Sequence, residues 1–357
     1  MYLTEHIDEA YYDAVDLLKS MIALPSFSRE EDKVADLIED YIRKKGFSPN
    51  RSGNNVWVVS KRFSEDNPSI LLNSHIDTVK PVSGWKRDPF ETITEDDFLF
   101  GLGANDAGAS VVSLLHAFIL LNNKEQDYNL IFLASCEEEI SGKNGIESVL
   151  NKIPEPKFAI VGEPTDMYPA VAEKGLMVLD CVSIGKSGHA ARKEGINAIY
   201  KAISDINWFS SYHFPDVSDL LGEVKMTVTM INAGTQHNVI PDKCSFVVDV
   251  RSNELYTNSK LFDIIERHTD CEVIPRSFRL NSSKISLENP FVQRAIMAGK
   301  EPFGSPTLSD QALMPFPSVK MGPGDSSRSH TADEYIRLSE IREAVELYVK
   351  LLDGLRI

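Results

Sequence analysis

The stretch that decides the fold is SILLNSHIDTV, residues 69–79, in which an apolar segment leads directly into polar residues. Because few positions before His75 are polar, this segment is predicted to be a strand that is buried on both faces, as in a parallel sheet covered by helices. The strand ends at His75, and Asp77 follows two positions later. Because ligands bind beyond the carboxyl ends of strands in open α/β sheets, we expect both side chains to face a functional site.

Two further apolar segments downstream also end in acidic residues. Residues 130–136 run into the acidic triplet 137–139, and residues 158–162 run into Glu163. A helical segment, residues 107–122, precedes the first of them. This alternation of strand and helix predicts an α/β/α sandwich, with helices on both faces of a central sheet.

The predicted helices at the two ends of the chain complete this layer pattern. The first runs from about residue 8 to residue 24, and the second opens at Ser28, where Ser28-x-x-Glu31 has the form of a capping box. The last helix spans residues 339–352, and we interpret its first residue, a serine, as the N-cap.

After about Gly175 the pattern changes to strands that alternate apolar and polar residues. The order β-α-β-β-α-β predicts a small split-βαβ, ferredoxin-like domain inserted into the first. We therefore predict one domain formed by residues 1–175 and 281–357, interrupted by a second domain at residues 176–280.

Composition narrows the class of protein. Asp and Glu number 53 against 37 Lys and Arg, a net charge of −16, which argues against binding to a nucleic-acid backbone and fits a protein that handles cations. No apolar run approaches the roughly 20 residues that a membrane span requires. The acidic start lacks a signal-peptide core, and the four cysteines form no CxxC pair, so we predict a soluble cytoplasmic protein with reduced cysteines.

The polar residues at the strand ends have the chemistry of metal ligands. A carboxylate two positions after His75 can fix the ring of a metal-binding histidine, although a buried core histidine is the alternative. Asp106 follows GLGAN and opens a helix, where it is either a ligand or an N-cap. The triplet 137–139 is either a solvated acidic turn or a cluster whose repulsion a cation removes. His330 follows the glycine-rich stretch GPGDSSRS.

Together these positions supply two histidines, one aspartate and several glutamates. Such ligands suit zinc, and also cobalt or manganese. Five ligands with one bridging carboxylate would hold two ions about 3.5–4 Å apart. The joint pattern predicts a metal-dependent hydrolase.

Eight stretches, in order along nearly the whole chain, carry a family resemblance: SHIDTV (74–79), GLGANDAGA (101–109), LASCEEEISGKNG (133–145), VGEPT (161–165), GKSGHAA (185–191), INAGTQHNVIPDKCSFVVDVR (231–251), TLSD (307–310) and GPGDSSRSHTADEY (322–335). The chain resembles the acetylornithine deacetylase and succinyl-diaminopimelate desuccinylase family of dinuclear zinc amidohydrolases, related to aminoacylase and carboxypeptidase G. It is most similar to the acetylornithine deacetylase branch.

The resemblance implies two Zn²⁺ ions per subunit, with Co²⁺ or Mn²⁺ as substitutes. The ligands implied are His75, Asp106, Glu139, Glu163 and His330. Asp106 would bridge the two ions, Asp77 would orient His75, and a cis peptide bond would join Asp106 to Ala107.

The acidic triplet leaves two registers open. The family reads Asp-Glu-Glu here, so aligning Asn144-Gly145 makes Glu137 stand for the aspartate, Glu138 the general base and Glu139 the ligand. A shift of one residue would give Glu137 and Glu138 these two roles. We favour the first register.

In the inserted domain, the resemblance implies a lid and a homodimer formed through it. His189 in SGHAA would reach the partner subunit's site and stabilise the oxyanion, although an ordinary loop histidine is the alternative. Asn238 and Arg251 match positions that bind the substrate's carboxylate, and Arg251 could equally be a surface arginine.

The predicted reaction is removal of an N-acyl group from an amino acid, foremost N-acetylornithine in arginine biosynthesis. N-succinylornithine, N-acyl-citrulline, succinyl-diaminopimelate and dipeptides are alternative substrates. A metal-binding structural or receptor-like protein on the same scaffold is the alternative to an enzyme, and the presence of a general base such as Glu138 argues against it.

Overall fold

The structure is a computed structural model that describes residues 2–357, with side chains from residue 6 onward. Within that range the α-helices are α1 (Tyr2–Ile22), α2 (Asp32–Lys44), α3 (Ala109–Leu121), α4 (Ala198–Ser211), α5 (Asn258–His268), α6 (Pro290–Met297) and α7 (Leu338–Leu352).

The strands are β1 (Asn50–Ser52), β2 (Asn55–Val59), β3 (Ser69–His75), β4 (Ile93–Glu95), β5 (Phe98–Phe100), β6 (Asn129–Ser135), β7 (Pro156–Val161), β8 (Ala170–Glu173), β9 (Met177–Ile184), β10 (Gly188–His189), β11 (Lys225–Ala233), β12 (Val239–Ile240), β13 (Lys243–Arg251), β14 (Glu272–Pro275), β15 (Ser283–Lys284), β16 (Phe303–Ser305), β17 (Ser318–Lys320) and β18 (Tyr335–Arg337).

The chain divides into two compact units. The first comprises the residues up to Val171 together with 284–303 and 309–357, and the second comprises 172–283 and 304–308. Residues 172–175, 281–283 and 304–308, which lie in the first domain as predicted from the sequence, group here with the second unit. The predicted domain boundaries stay predictions. The catalytic and lid roles of the predicted domains stay predictions.

The first unit is built on a mixed sheet in the order β1-β2-β6-β3-β7-β17, which continues through β8 and β15. Strand β3 runs parallel to both β6 and β7, and every residue of β3 and β6 is buried. The predicted α/β fold class is therefore confirmed. Since parallel strands share one direction, the polar residues that follow them gather at one edge of the sheet.

Helix α3 is the most apolar helix of the first unit and packs against β3, α1 and α7. By length and composition alone, residues 104–121 could cross a membrane. However, 83% of that stretch is buried inside the protein, as in the core helix of a soluble protein. The cytoplasmic location stays a prediction.

The second unit contains the four-stranded antiparallel sheet β11-β13-β9-β14. Helices α4 and α5 supply apolar side chains, Phe209 and Leu261 among them, to a core shared with the sheet. Apart from the two-residue strands β10 and β12, the element order is the predicted β-α-β-β-α-β.

Three predicted helix starts were wrong. Helix α1 begins at Tyr2 rather than near residue 8. Helix α2 begins at Asp32 rather than Ser28, and its N-cap residue makes no side-chain capping bond. Ser339 lies inside α7 and donates its hydroxyl to Asp97 at 2.6 Å. The hydroxyl groups of Ser28 and Ser339 each donate a hydrogen bond to a carboxylate distant in sequence, Asp77 and Asp97 respectively. Tertiary hydrogen bonding therefore prevails over local capping at both serines.

Candidate metal centre

His75 stands at the carboxyl end of the central strand β3, with its side chain buried. Its Nδ1 donates a hydrogen bond to the backbone carbonyl of Asp77 at 2.9 Å. In the neutral tautomer that donates from Nδ1, the lone pair of Nε2 points outward, as a metal-binding histidine requires. Nε2 lies 3.2 Å from Asp106 Oδ1 and 3.7 Å from Glu163 Oε1.

Asp106 lies in the turn Ala104–Gly108 that precedes α3, and its own backbone is not helical (φ −119°, ψ 95°). The peptide bond between Asp106 and Ala107 is cis, as the resemblance implied. While Oδ1 faces His75, Oδ2 lies 3.6 Å from Nε2 of His330. The Asp106 carboxylate therefore stands between two histidine rings.

These side chains form two candidate metal-binding groups that share one residue. The first comprises His75, Asp106 and Glu163, the second comprises Asp106, Glu139 and His330, and the ligand atoms within each group lie within 4.8 Å of one another. These are the five residues predicted as ligands. The structure thus brings all five together, with Asp106 in the bridging place.

The donor set fits divalent cations. Its atoms are imidazole nitrogens and carboxylate oxygens, which suit zinc, cobalt and manganese. The buried Oε1 of Glu163 has no hydrogen-bond partner among the residues that the structure describes. A buried carboxylate oxygen without a donor is costly, and a bound cation would remove that cost.

The acidic triplet separates into three different environments. Glu137 has a left-handed backbone (φ 56°), and its carboxylate accepts from the amide Nδ2 of Asn144 at 2.9 Å. Glu139 instead reaches His330, whose Nε2 lies 3.0 Å from Oε2. This geometry supports the register with Glu138 and Glu139 as the active pair, because Glu137 is engaged elsewhere.

Burial and the charges of neighbouring side chains shift the pKa values of several groups in the site. Burial raises the pKa of Glu138 well above its usual range, and Glu163, Asp310 and Glu139 raise it further by repulsion. Burial, with Asp106 nearby, raises the pKa of Glu163 to about 8. A hydrogen bond with Glu139 raises the pKa of His330 to about 9. These shifts reflect an excess of negative charge that divalent cations would offset.

Asp77 contacts the His75 ring at Nδ1. Its backbone carbonyl lies 2.9 Å from that nitrogen and its carboxylate 3.5 Å from it. The role of Asp77 in orienting His75 stays a prediction. The two carboxylate oxygens of Asp77 accept the backbone N–H groups of Glu138 at 3.0 Å and Glu139 at 3.1 Å. Asp77 therefore contacts both the histidine and the glutamate turn.

Two buried carboxylates of the site received no role from the sequence. Glu334 accepts the backbone N–H groups of Gly103, Asn105 and Asp106 at 2.8–3.1 Å. Asp310 accepts from Ser135 Oγ at 2.6 Å and Asn73 Nδ2 at 2.9 Å. Both lie within stretches that carry the family resemblance, which was the signal available.

In the second unit, His189 and Asn238 are neighbours. His189 is exposed on β10 and pairs with Val239 of β12, while the carbonyl of Asn238 accepts the N–H of Ala190 at 3.0 Å. The predicted oxyanion residue and one predicted substrate-binding residue thus share a loop pair.

Arg251 is not brought together with them inside this unit. It ends the nine-residue strand β13, whose opposite end follows β12. At about 3.3 Å per residue, the strand separates its two ends by roughly 26 Å. Asp249 holds the Arg251 guanidinium through two hydrogen bonds, at 2.8 and 3.1 Å.

Known proteins have sequences similar to this chain over most of its length. The profile of Peptidase family M20/M25/M40 matches residues 71–354. A Mycobacterium tuberculosis protein, provisionally named succinyl-diaminopimelate desuccinylase DapE, is 28% identical over 356 residues, covering 96% of this chain and 98% of its own. The acetylornithine deacetylase of Buchnera aphidicola is 24% identical over 375 residues, covering 95% of this chain and 97% of its own.

A solved structure supports the fold. The YXEP protein of Bacillus subtilis, described as a dinuclear metal-binding peptidase of the M20 family, superposes with a TM-score of 0.75. It is 17% identical, and the match covers 97% of this chain and 98% of that one. The chain belongs to Peptidase family M20/M25/M40 and is a metal-dependent enzyme that hydrolyses amide bonds.

Proposed function

We propose that this enzyme hydrolyses the amide of an N-acyl amino acid with the help of two zinc ions. The observation that carries the proposal is the pair of ligand groups that share Asp106. His75 and Glu163 would hold one ion, Glu139 and His330 the other, and Asp106 both. When bound, the two ions supply Lewis acidity and lower the pKa of water.

Glu138 is the proton carrier in this proposal. The turn that carries it also carries Glu139, and its carboxylate is close enough to His75, Glu163 and Glu139 for their charges to act on it. It takes a proton from the attacking water and delivers it to the nitrogen of the leaving amine.

N-acetylornithine is the substrate that we propose first, since the stretch GPGDSSRSHTADEY is most similar to the deacetylase branch. The Buchnera relative bears the name of that activity. N-succinylornithine, N-acyl-citrulline and dipeptides are alternatives. Succinyl-diaminopimelate is the second candidate, because the relative with 28% identity carries the desuccinylase name.

We further propose a homodimer formed through the second unit. Strand β11 is an edge strand, and its residues Met230 and Ile231 are 61% and 55% exposed. On α4 of the same unit, Tyr200 is 73% exposed. An edge strand with large exposed apolar side chains is a surface that a second copy can cover.

A substrate panel tests the proposal. Release of free amine is measured for N-acetylornithine, N-succinylornithine, N-acetylcitrulline, succinyl-diaminopimelate and a dipeptide, each with and without a chelator. We expect chelator-sensitive hydrolysis, fastest for N-acetylornithine. Faster hydrolysis of succinyl-diaminopimelate would favour the second candidate, and hydrolysis of dipeptides alone would contradict the deacylase proposal.

A further inference from the structure

The segment between α1 and α2 contacts the glutamate turn in two ways. The Ser28 hydroxyl donates to Asp77 Oδ2 at 2.7 Å, and Asp77 accepts the N–H groups of Glu138 and Glu139. Glu31 Oε1 accepts the N–H of Glu137 directly, at 3.2 Å. Ser28 and Glu31, which have the spacing of a capping box, therefore both support this turn, Ser28 through Asp77 and Glu31 directly.

The Glu31 side chain is completely buried, and several groups donate hydrogen bonds to its carboxylate. Its Oε1 also accepts the N–H of Arg29 at 2.7 Å, and its Oε2 accepts Nδ2 of Asn54 at 2.8 Å. A carboxylate is stable without water only where hydrogen-bond donors replace its hydration. Glu31 thus joins three chain segments at one point, and one of them is the glutamate turn.

The turn itself needs such support. Glu137 occupies the left-handed region with φ 56°, which is uncommon for a residue with a side chain. The N–H groups of Glu137, Glu138 and Glu139 point to side-chain carboxylates, the first to Glu31 and the next two to Asp77. Because three successive N–H groups are held in this way, the backbone positions from which the Glu138 and Glu139 side chains extend are fixed.

We propose that Ser28 and Glu31 are positioning residues of the hydrolytic site, Ser28 acting through Asp77 and Glu31 through the backbone of Glu137. The inference rests on the proposed roles of Glu138 and Glu139. Catalysis depends steeply on the placement of the proton carrier, so loosening its turn slows the reaction without removing a reacting group.

The test compares Ser28→Ala and Glu31→Gln with matched variants. Ser28→Thr keeps the hydroxyl, and Glu30→Gln makes the same change as Glu31→Gln at an exposed neighbouring position. For each variant, kcat and KM are measured on the best substrate of the panel, and the visible spectrum is recorded after loading with Co²⁺. The spectrum reports the ligand geometry independently of turnover.

Both Ser28→Ala and Glu31→Gln should lower kcat about 10–100-fold with little change in KM, and should alter the cobalt spectrum. Ser28→Thr should restore most of the lost kcat, and Glu30→Gln should match the wild type. Wild-type kcat and spectrum in folded Ser28→Ala and Glu31→Gln would overturn the proposal. If Glu31→Gln does not fold, Ser28→Ala and Ser28→Thr decide the outcome.

The two proposals fail in different ways. A wild-type protein that binds Co²⁺ but hydrolyses no N-acyl amino acid contradicts the proposed substrate class. The spectra of the same variants then still report whether Ser28 and Glu31 position the glutamate turn.

Discussion

The Glu334 carboxylate accepts the backbone N–H of Asp106 at 2.9 Å. Glu334 lies four residues after His330, so one side chain connects the segment of one predicted ligand with the backbone of another. The same carboxylate accepts the N–H groups of Gly103 and Asn105, and it is buried. The position of Asp106, which we predict to bridge two metal ions, therefore depends on the C-terminal part of the chain.

Replacing Glu334 with alanine should weaken metal binding. The change leaves three buried N–H groups without their acceptor and frees the turn that carries Asp106. Partners of this kind typically contribute about 10–100-fold in metal affinity or activity. Zinc affinity is measured by competition with a chelator, with the exposed Glu343→Ala on α7 as control. Equal affinities for the wild type and both variants would contradict this role.

Removing the metals should abolish activity and destabilise the protein. Five ionisable ligands crowd together, and ions that bind only the folded state stabilise it by mass action. We expect two equivalents of metal by elemental analysis, and a lower melting temperature after chelation. Saturation at one equivalent with full activity would exclude the bridging role of Asp106.

The two glutamates of the turn should respond differently to substitution. Glu138→Ala should keep both metals and lose about 10²–10⁴-fold in kcat, as expected for a general base. Glu139→Ala should lose metal, because it removes the partner of His330. Metal content and turnover are measured on the same preparations. Loss of metal in Glu138→Ala, with wild-type metal content and turnover in Glu139→Ala, would favour the register with Glu137 and Glu138.

His189 should act on the partner subunit's substrate. His189→Ala should lower kcat while metal content and melting temperature stay unchanged, since the side chain is exposed. Mixing it with inactive Glu138→Ala should restore part of the activity, because one site of each heterodimer would carry both intact groups. Subunit exchange without recovered activity would place His189 in its own subunit's site, or outside catalysis.

His116 should make the protein less stable in mild acid. In α3 its buried ring donates to the Val112 carbonyl and accepts from the Tyr41 hydroxyl, a pattern that requires the neutral form. Burial lowers its pKa to about 4. The unfolded chain binds this proton near pH 6.5, so stability is lost as pH falls from about 6.5 towards 4, by roughly 2–3 kcal/mol.

Chemical denaturation between pH 7 and pH 4 checks this prediction. His116→Phe, which cannot titrate, should show a shallower loss of stability over that range than the wild type. Parallel pH profiles for the two proteins would show that other groups cause the loss.

The buried strands and the polar residues at their ends could be predicted because both are visible in short segments of the sequence. The apolar run before His75 predicts a doubly buried strand, and the same logic applies to the strands before the acidic triplet and Glu163. Parallel pairing then brings these ends to one edge of the sheet, so a cluster of ligands could be expected from spacing alone. The assignment of individual roles came from the family resemblance.

The sequence by itself therefore determined the layer order, the inserted unit and the set of ligand candidates, since hydrophobic period and strand-end polarity are properties of short segments. Only the tertiary structure decided which partner each polar group found. Ser28 reaches Asp77 across 49 residues, and Glu334 reaches Asp106 across 228. A capping pattern read locally cannot anticipate such bonds, because a hydroxyl or carboxylate takes whichever buried donor or acceptor the fold brings to it.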